Sequence, residues 1–261
     1  GADVVKIEPP GGDPSRRWGP FPGDEVDAEK SGTFFACNTN KRSVCLDLER
    51  AADRDRLREL IASADVFVEN HSPAALRAWG LDYATLSASH PGLVMISITP
   101  FGQTGPYAAW KGSDLNAFHL SAAGSRYCGR PGETPLKHGT FSADYLAAYV
   151  AATWGIAAVR GREHAGAGHH IDVSSAEALA ALFVGAQNIG NVAQDGVYET
   201  RSGIGMPLGA PATILPCKDG HVWMIALEPG QWHGLRRAMG DPEWARIDMF
   251  DDMFARAQNA D

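Results

Sequence analysis

Short hydrophobic runs alternate with helical stretches through the first part of the chain. Residues 51–63 place Leu57, Leu60 and Ile61 on one helical face, and Pro73 suits the first turn of a helix ending near Gly80. The hydrophobic runs predict strands at Val4–Ile7, Ser43–Leu48, Val66–Val68 and Leu93–Ile98. Strands and helices alternating at this spacing indicate βαβ units, so the pattern predicts an α/β fold with a parallel sheet.

Beyond Pro100 the pattern changes to loops and Ala-rich helices. Turn-forming Gly and Pro residues predict loops at 101–106, 124–140 and 196–220. Helical patterns cover residues 141–160, 174–188 and 230–239. Two further strands are predicted at Ile171–Val173 and His221–Leu227.

Composition narrows the class of protein. Of 261 residues, 44% are hydrophobic, which is typical of a packed globular chain, and no apolar run is long enough to span a bilayer. The 31 acidic and 23 basic residues give a net charge of −8, which disfavours general nucleic-acid binding. The four cysteines match no zinc spacing. We therefore expect a cytoplasmic protein with reduced thiols, and neither nucleic acid nor a membrane among its partners.

Two stretches superficially resemble known motifs. The glycines of residues 203–209 have the wrong spacing for a dinucleotide-binding loop and are interrupted by Pro207. His164, His169 and His170 flank a Gly-rich turn near Asp172, where a solvated turn is favoured over a metal cluster. The sequence therefore predicts no metal site.

Asp144 follows the polar, Gly-containing stretch 138–143 and precedes an apolar helix. An acid in the first turn of a helix complements the helix dipole, which contributes about 0.3–1 kcal/mol. The functional alternative is a carboxylate nucleophile held on a rigid element. Spacing alone favours the structural interpretation.

Ordered sequence blocks over nearly the whole chain resemble the family III CoA-transferases of the CaiB/BaiF type, the group of formyl-CoA and carnitine CoA-transferases. The signal lies in the order of the blocks, since any one alone would be weak. The blocks are residues 1–16, 34–43, 64–70, 97–106, the region around Asp144, and 166–173.

The resemblance implies a mechanism. In this family an Asp attacks an acyl-CoA thioester and forms a mixed anhydride and then an aspartyl-CoA thioester, from which a carboxylic acid takes CoA. The position matching this nucleophile is Asp144. Gly203 and Gly205 match a Gly-rich lid loop of some members. The implied substrates are an acyl-CoA and a carboxylic acid, with coenzyme A as the only cofactor.

The resemblance also implies contacts with CoA. The side chains in or beside blocks that line the family's CoA groove are Arg16, Arg42, Asn70 and Lys111. Members commonly carry an Arg at the position of Ala78. Here Arg77 stands one place earlier and is the corresponding candidate.

Two alternatives remain open. The related α-methylacyl-CoA racemases need a His in the segment 111–116, where this chain has Ser113, although Glu228 is racemase-like. His119 would serve only if its helix were shifted, so transferase is favoured over racemase. The other alternative is an incomplete, inactive family member that acts as a binding or structural partner.

The resemblance predicts a domain organisation. Residues 1–200 would form a large Rossmann-like CoA-binding domain, and residues 201–261 a loop and the start of a smaller domain. Family subunits form interlocked homodimers. The chain begins at a strand without Met and ends inside a predicted helix, so we expect sequence to be missing at both ends.

Overall fold

The computed structural model describes residues 1–124, 128–129, 131–198, 200–201 and 210–259. The chain divides into two compact units. Unit 1 comprises Gly1–Ser97 and Trp154–Ile171, and unit 2 comprises Ile98–Thr153 and Asp172–Asp261. The domain boundary expected after residue 200 stays a prediction.

Unit 1 contains the predicted alternation of strands and helices. Its strands are β1 (Val5–Glu8), β2 (Arg42–Cys45), β3 (Val66–Glu69) and the first residues of β4 (Val94–Thr99). Its helices are α1 (Gly32–Asn38), α2 (Ala51–Ala62), α3 (Pro73–Trp79) and α4 (Tyr83–Ser89). The predicted strands and the helices at α2 and α3 are confirmed, and α1 and α4 are additional.

Parallel pairing confirms the predicted fold class. Strand β1 pairs in parallel with β2, from Val5 opposite Arg42 to Glu8 opposite Cys45. Strand β3 pairs in parallel with β4, from Val66 opposite Val94 to Glu69 opposite Ser97. The buried core of unit 1 is almost entirely leucine and isoleucine, and its members are Leu46, Leu57, Ile61, Leu76, Leu81, Leu86, Leu93 and Met95.

Local chemistry explains where the short helices of unit 1 begin and end. The Ser72 hydroxyl accepts the Ala75 N–H at 3.2 Å at the start of α3. The helix ends at Gly80, as the sequence predicts, and Gly80 lies in the left-handed region with φ 62°. Asp82 then caps α4 by accepting the Thr85 N–H at 3.2 Å. Helix α4 has one buried side chain, Leu86, so its hydrophobic periodicity is weak.

Unit 2 contains most of the remaining elements. Its helices are α5 (Asp114–Leu120), the first half of α6 (Ser142–Ala165), α7 (Ser175–Ala180), α8 (Phe183–Asp195), α9 (Pro229–Ala238) and α10 (Met253–Gln258). Strand β5 (His170–Ser174) adds to β4 in the sheet order β3-β4-β5, and β6 (Ala212–Cys217) forms an antiparallel hairpin with β7 (Gly220–Ile225).

Two element predictions for unit 2 are wrong. Residues 196–220 were expected to be loop, but β6 lies there. Its Pro216 does not prevent the strand, because proline is tolerated in a two-stranded hairpin. The single helix expected at 174–188 is divided in two. Leu182, with φ −108° and ψ 145°, adopts an extended conformation between α7 and α8.

His170 is also placed differently from its prediction. It lies in β5 and not in a solvated turn. Its Nε2 is 2.8 Å from the Oγ of the buried Ser97, and its ring stacks on Tyr83 with a centroid distance of 5.1 Å. The histidine is exposed, and these two contacts attach it to unit 1. Among the described residues, no three His, Cys, Asp or Glu side chains are grouped so that they could hold a metal ion.

The core of unit 2 that surrounds α5 is built from small side chains. Ala117 and Phe118 of α5 pack with Ala143 of α6 and with Ala176 and Leu179 of α7. Alanine at these contacts allows the helix backbones to approach closely, so α5 lies directly beside the start of α6. In the part of the chain that the structure describes, no helix combines the length and the apolar character needed to cross a membrane.

Glu8 is the centre of a polar network in unit 1. Its buried carboxylate accepts from Arg16 Nε at 2.7 Å, from Ser43 Oγ at 2.6 Å and from the Asp13 N–H at 2.9 Å. The hydrogen bonds from Arg16 are the main reason why the pKa of Glu8 falls from 4.5 to about 2. Glu8 therefore ties the end of β1 both to β2 and to the loop that follows β1.

This network predicts a pH dependence of stability. Because the pKa of Glu8 is lowered by folding, its contribution is complete above pH 4.5 and is lost as the pH falls towards 2. The Glu8→Gln variant should lose roughly 2 kcal/mol of unfolding free energy at pH 7 and less at pH 3. Urea unfolding at both pH values tests this, with Glu49→Gln on the surface as control. Equal losses for Glu8→Gln at the two pH values would contradict the prediction.

Arg256 holds together the part of unit 2 after residue 210. Its guanidinium is 4% exposed and donates to the carbonyl groups of Ala210 at 2.6 Å, Ala226 at 3.0 Å and Leu227 at 2.7 Å. It also donates to the Phe250 carbonyl, and its Cζ lies 4.8 Å from the centre of the Trp232 ring. One side chain of α10 thus satisfies the backbone of three separate segments.

Replacing Arg256 should therefore loosen this region selectively. Arg256→Met leaves several buried carbonyl groups without a donor, and we expect a loss of about 2–4 kcal/mol. Hydrogen exchange should show faster exchange in β6, β7 and α9. Arg237→Gln, at an exposed position in the last turn of α9, is the matched control. Unchanged exchange in the hairpin of Arg256→Met would refute this role.

Candidate active site

Asp144 lies in the first turn of α6, as its sequence context predicts. The helix begins at Ser142, so Asp144 is its third residue, and its side chain is exposed to solvent. The preceding residue, Ala143, is fully buried against α5 and α7. The backbone at this position is therefore held by packing while the carboxylate next to it remains accessible.

A second carboxylate, that of Asp114, caps the helix on which Asp144 stands. Asp114 is 5% exposed, and its Oδ1 accepts the Ala143 N–H at 2.8 Å and the Asp144 N–H at 3.4 Å. The first N–H groups of a helix have no partner within the helix, so an acceptor from α5 satisfies them. Asp114 thus fixes the start of α6 relative to α5.

Lys137 compensates the charge of Asp114. Its Nζ is 3.0 Å from Asp114 Oδ2 and donates to the carbonyl groups of His138 at 2.8 Å and Thr140 at 2.7 Å. Lys137 therefore also shapes the short segment that leads into α6.

The surroundings raise the pKa of Asp144. Burial of one side of the carboxylate by protein is the largest cause, and the negative charge of Asp114 adds to it, whereas Lys137 lowers the pKa. The group still reaches solvent, so a reactant has access to it. A carboxylate with a raised pKa is more basic and hence a better nucleophile when ionised.

Asp144 is recognisable from the sequence, whereas Asp114 and Lys137 were not predicted as site residues. The sequence did offer one signal for Asp114, because it is an acid at the start of the largely apolar stretch 114–120. An acid that is buried with such a stretch requires a partner. Lys137 comes from a Gly- and Pro-rich stretch without periodicity. Its proximity to Asp114 is a property of the tertiary fold.

Four of the predicted CoA contacts lie in unit 1. Arg16 is bound to Glu8 and also contacts Glu29 at 3.0 Å, and Arg42 forms an exposed ion pair with Asp3 at 2.7 Å. Asn70 is exposed directly after β3, and Arg77 is exposed in the last turn of α3. Arg16 thus has a structural partner, and all four contacts stay predictions.

The fifth predicted CoA contact, Lys111, lies in unit 2 and is exposed. The next residue, Gly112, packs closely against Pro100 and Phe101. A Cβ at Gly112 would lie 2.8 Å from the Cβ of Pro100 and 2.7 Å from the Phe101 ring. This contact fixes the segment that carries Lys111. Gly203 and Gly205, the predicted lid residues, lie outside the described residues.

The residues that distinguish a racemase have local structural roles. The Ser113 hydroxyl donates to Asn116 Oδ1 at 3.0 Å at the start of α5. Glu228 is the N-cap residue of α9, where Gln231 Oε1 accepts the N–H groups of Leu227 and Glu228. His119 lies in α5 with its ring edge-on to Phe118 at 5.4 Å.

Comparison with known proteins identifies the family. The family model described as CoA-transferase family III matches residues 1–261. A probable CoA-transferase of Mycobacterium tuberculosis is 37% identical over 260 residues, which are 98% of this chain and 32% of that protein. A subunit of succinyl-CoA:(R)-benzylsuccinate CoA-transferase from Thauera aromatica is 35% identical over 258 residues, which are 97% of this chain and 61% of that protein.

A solved structure agrees with these matches. The crystal structure of a CaiB/BaiF family protein from Brucella suis matches with a TM-score of 0.79 and 33% identity, over 100% of this chain and 68% of that chain. The fold is therefore the α/β fold of CaiB/BaiF proteins. The chain belongs to CoA-transferase family III, and it spans 32% and 61% of the two relatives described above.

The charges around Asp144 predict how its pKa responds to substitution. Lys137→Gln removes a positive charge but keeps a hydrogen-bond donor for the segment before α6, so the pKa of Asp144 should rise further. Asp114→Asn keeps an oxygen that can cap α6 and removes the repulsion, so the pKa should fall. Carbon-13 NMR titration of the Asp144 carboxyl group measures both effects.

Lys218→Gln, at an exposed position in the turn between β6 and β7, is the matched control and should leave this pKa unchanged. Shifts of the same sign in Lys137→Gln and Asp114→Asn would show that Asp144 does not sense these two charges.

Proposed function

We propose that this chain is the part of a CoA-transferase that carries the nucleophile, and that the nucleophile is Asp144. The observation that carries the proposal is an accessible carboxylate with a raised pKa, on a backbone fixed by Asp114, in a member of CoA-transferase family III. Asp114 itself is a poor candidate, because it is buried and its oxygens are engaged by N–H groups and by Lys137.

The proposed reaction proceeds through two exchanges at Asp144. An Asp144 oxygen attacks the thioester carbonyl carbon of the donor acyl-CoA, the C–S bond breaks, and CoA leaves as a thiolate. The thiolate then attacks the Asp144 carbonyl carbon of the mixed anhydride and releases the donor acid as a carboxylate. The acceptor carboxylate repeats these steps in reverse order, which regenerates the Asp144 carboxylate. Charge and atoms balance without an oxidant, a reductant or a metal.

The geometry favours this chemistry in two ways. The rigid start of α6 holds the nucleophile in place, so that attack on a bound thioester becomes effectively intramolecular. The uncapped N–H groups in the first turn of a helix also attract negative charge. Asp114 takes up part of this capacity. Burial, the largest cause, and the charge of Asp114 raise the pKa of Asp144, whereas Lys137 lowers it.

The binding of CoA is assigned by resemblance. We propose that Lys111 and Arg77 bind CoA phosphates, with Asn70 as a further contact, because all three side chains are exposed. Arg42 and Arg16 would contribute only if their pairs with Asp3 and Glu8 permit it. Gly203 and Gly205 are proposed as part of a lid loop.

The substrates are proposed to be an acyl-CoA and a carboxylic acid. The relative from Thauera aromatica is named for transfer between succinyl-CoA and (R)-benzylsuccinate, which supports a carboxylic acid acceptor. We also propose the interlocked homodimer of the family. Its support here is the exposure of three aromatic side chains of α6, namely Tyr145, Tyr149 and Trp154, which are 42%, 72% and 61% exposed.

Neither alternative is favoured by a specific observation. A racemase would need a proton-relaying residue at position 113, whereas Ser113 binds Asn116. The racemase-like Glu228 has a role at the start of α9. An inactive binding partner remains the outcome to which a negative activity test would point.

The test is to trap the enzyme-bound intermediate. Incubation with an acyl-CoA and then hydroxylamine should convert the Asp144 side chain to a hydroxamate, which peptide mass spectrometry locates. Asp144→Asn should lower the rate of transfer by at least about 10³-fold, because a neutral amide cannot attack the thioester. CoA binding, measured by calorimetry, should persist in this variant.

Asp248→Asn, at an exposed position in the same unit, is the control and should retain full activity. Labelling of a different carboxylate, or normal transfer by Asp144→Asn, would refute the assignment. Binding of acyl-CoA without labelling or transfer would support the inactive binding partner.

A further inference from the structure

His138 lies in the segment that leads into α6, and the steps proposed for Asp144 do not involve it. Its side chain is exposed to solvent. The imidazole ring packs edge-on against Phe118 of α5 at a centroid distance of 5.1 Å, and its Nδ1 lies 3.3 Å from the Oγ of Ser142. Ser142 is the first residue of α6 and Asp144 is the third. Since two helix residues advance only about 3 Å along the axis, the imidazole contacts the same end of α6 that carries Asp144.

Two hydroxyl groups indicate which imidazole nitrogen carries the proton. Thr140 Oγ1 lies 3.1 Å from Ser142 Oγ, which in turn lies 3.3 Å from His138 Nδ1. We assign Thr140 as the donor to Ser142 and Ser142 as the donor to His138, because each hydroxyl then donates once. Nδ1 is thus an acceptor, and the neutral imidazole carries its proton on Nε2. Among the described residues, none accepts a hydrogen bond from this Nε2–H.

The other donors at this end of α6 are already engaged. The N–H groups of Ala143 and Asp144 bind the Asp114 carboxylate. The Lys137 ammonium group binds the same carboxylate and two carbonyl groups of the segment before α6. In this set of described donors, the Nε2–H of His138 is the one that is free to bind a reactant.

The proposed reaction generates a group that requires such a donor. When the Asp144 carboxylate displaces CoA, the electrons of the C–S bond remain on sulfur. The resulting thiolate has to stay beside the mixed anhydride until it attacks the Asp144 carbonyl carbon. A donor that is already in place where negative charge develops lowers the barrier, because it needs no rearrangement during the reaction.

We propose that His138 is a catalytic residue that holds the CoA thiolate, with its Nε2–H donating a hydrogen bond to the sulfur. This inference rests on the proposed function of Asp144. The hydrogen bond strengthens as the C–S bond breaks and weakens as the sulfur attacks the anhydride. No proton is transferred, so the charge and atom balance of the steps at Asp144 is unchanged. A neutral imidazole is a weak acid, and it therefore stabilises the thiolate without converting it to the less nucleophilic thiol.

Titration with CoA alone tests the contact without acyl transfer. At about pH 9, where a free thiol is largely ionised, CoA should shift the His138 Nε2 resonance of protein labelled with nitrogen-15 histidine in a saturable manner. Desulfo-CoA, which lacks the sulfur, should shift it much less, and His138→Leu identifies the signal. No acyl group is present, so the result does not depend on whether Asp144 is a nucleophile.

Two outcomes of this titration would count against His138. An unmoved resonance in protein that calorimetry shows to be saturated with CoA, or equal shifts with CoA and desulfo-CoA, would overturn this proposal alone. Failure to bind CoA at all would overturn it together with the proposed function.

Kinetics test the role in the reaction. His138→Leu should lower kcat for CoA transfer about 10- to 100-fold and leave KM for the acyl-CoA nearly unchanged, because the lost donor acts only where charge develops. His138→Gln keeps an N–H donor near the position of Nε2 and should recover most of the rate. His221→Leu, at an exposed position in β7 of the same unit, is the matched control and should retain full activity. Full activity of His138→Leu, or equal losses in His138→Leu and His138→Gln, would overturn the proposal.

The leaving group separates a role at sulfur from a purely structural role. An aryl thioester expels a thiolate that is stable without a donor. The rate of hydroxamate labelling at Asp144 should therefore differ little between His138→Leu and the unaltered protein with an aryl thioester, but strongly with an acyl-CoA. Thermal unfolding establishes that the variants are folded. The same relative loss with both thioesters would show that His138 does not act on the sulfur.

Discussion

The contact between the Asp114 carboxylate and the start of α6 is the constraint on which the candidate site depends. A helix begins with N–H groups that need acceptors, and here a residue of α5 supplies the acceptor for Ala143 and Asp144. This acceptor is itself a buried charge, so it requires Lys137, and Lys137 in turn organises the segment entering α6. The position of Asp144 follows from these linked requirements.

The same contact makes Asp144 chemically unusual. A carboxylate at a helix N-terminus is normally stabilised in its charged form by free N–H groups. In this structure Asp114 has already accepted the N–H groups of Ala143 and Asp144 and has placed a negative charge nearby. The helix terminus therefore orients Asp144, and burial together with repulsion by Asp114 raises its pKa.

Sequence patterns predicted the parts of the fold that depend on periodicity and on caps. The strands of unit 1, helices α2 and α3, and the end of α3 at Gly80 are all encoded within a few neighbouring residues. Strand β6 was not predicted, because Pro216 masks its pairing with β7. Asp144 was identified through family resemblance. Asp114 and Lys137 lie 30 and seven positions before it in the chain, and no local sequence pattern shows that they influence it.

Glu8 and Asp144 show how the partners of a carboxylate determine what it can do. Glu8 is buried more deeply, yet its pKa falls to about 2 because Arg16, Ser43 and a backbone N–H all donate to it. Such a carboxylate is stabilised so fully in its charged form that it is a poor nucleophile. Asp144 has no comparable set of donors among its main influences, and Lys137, the positive charge that lowers its pKa, is shared with Asp114. Incomplete compensation at an accessible, rigidly held position is the condition that nucleophilic catalysis by a carboxylate requires, and Asp144 meets it while Glu8 does not.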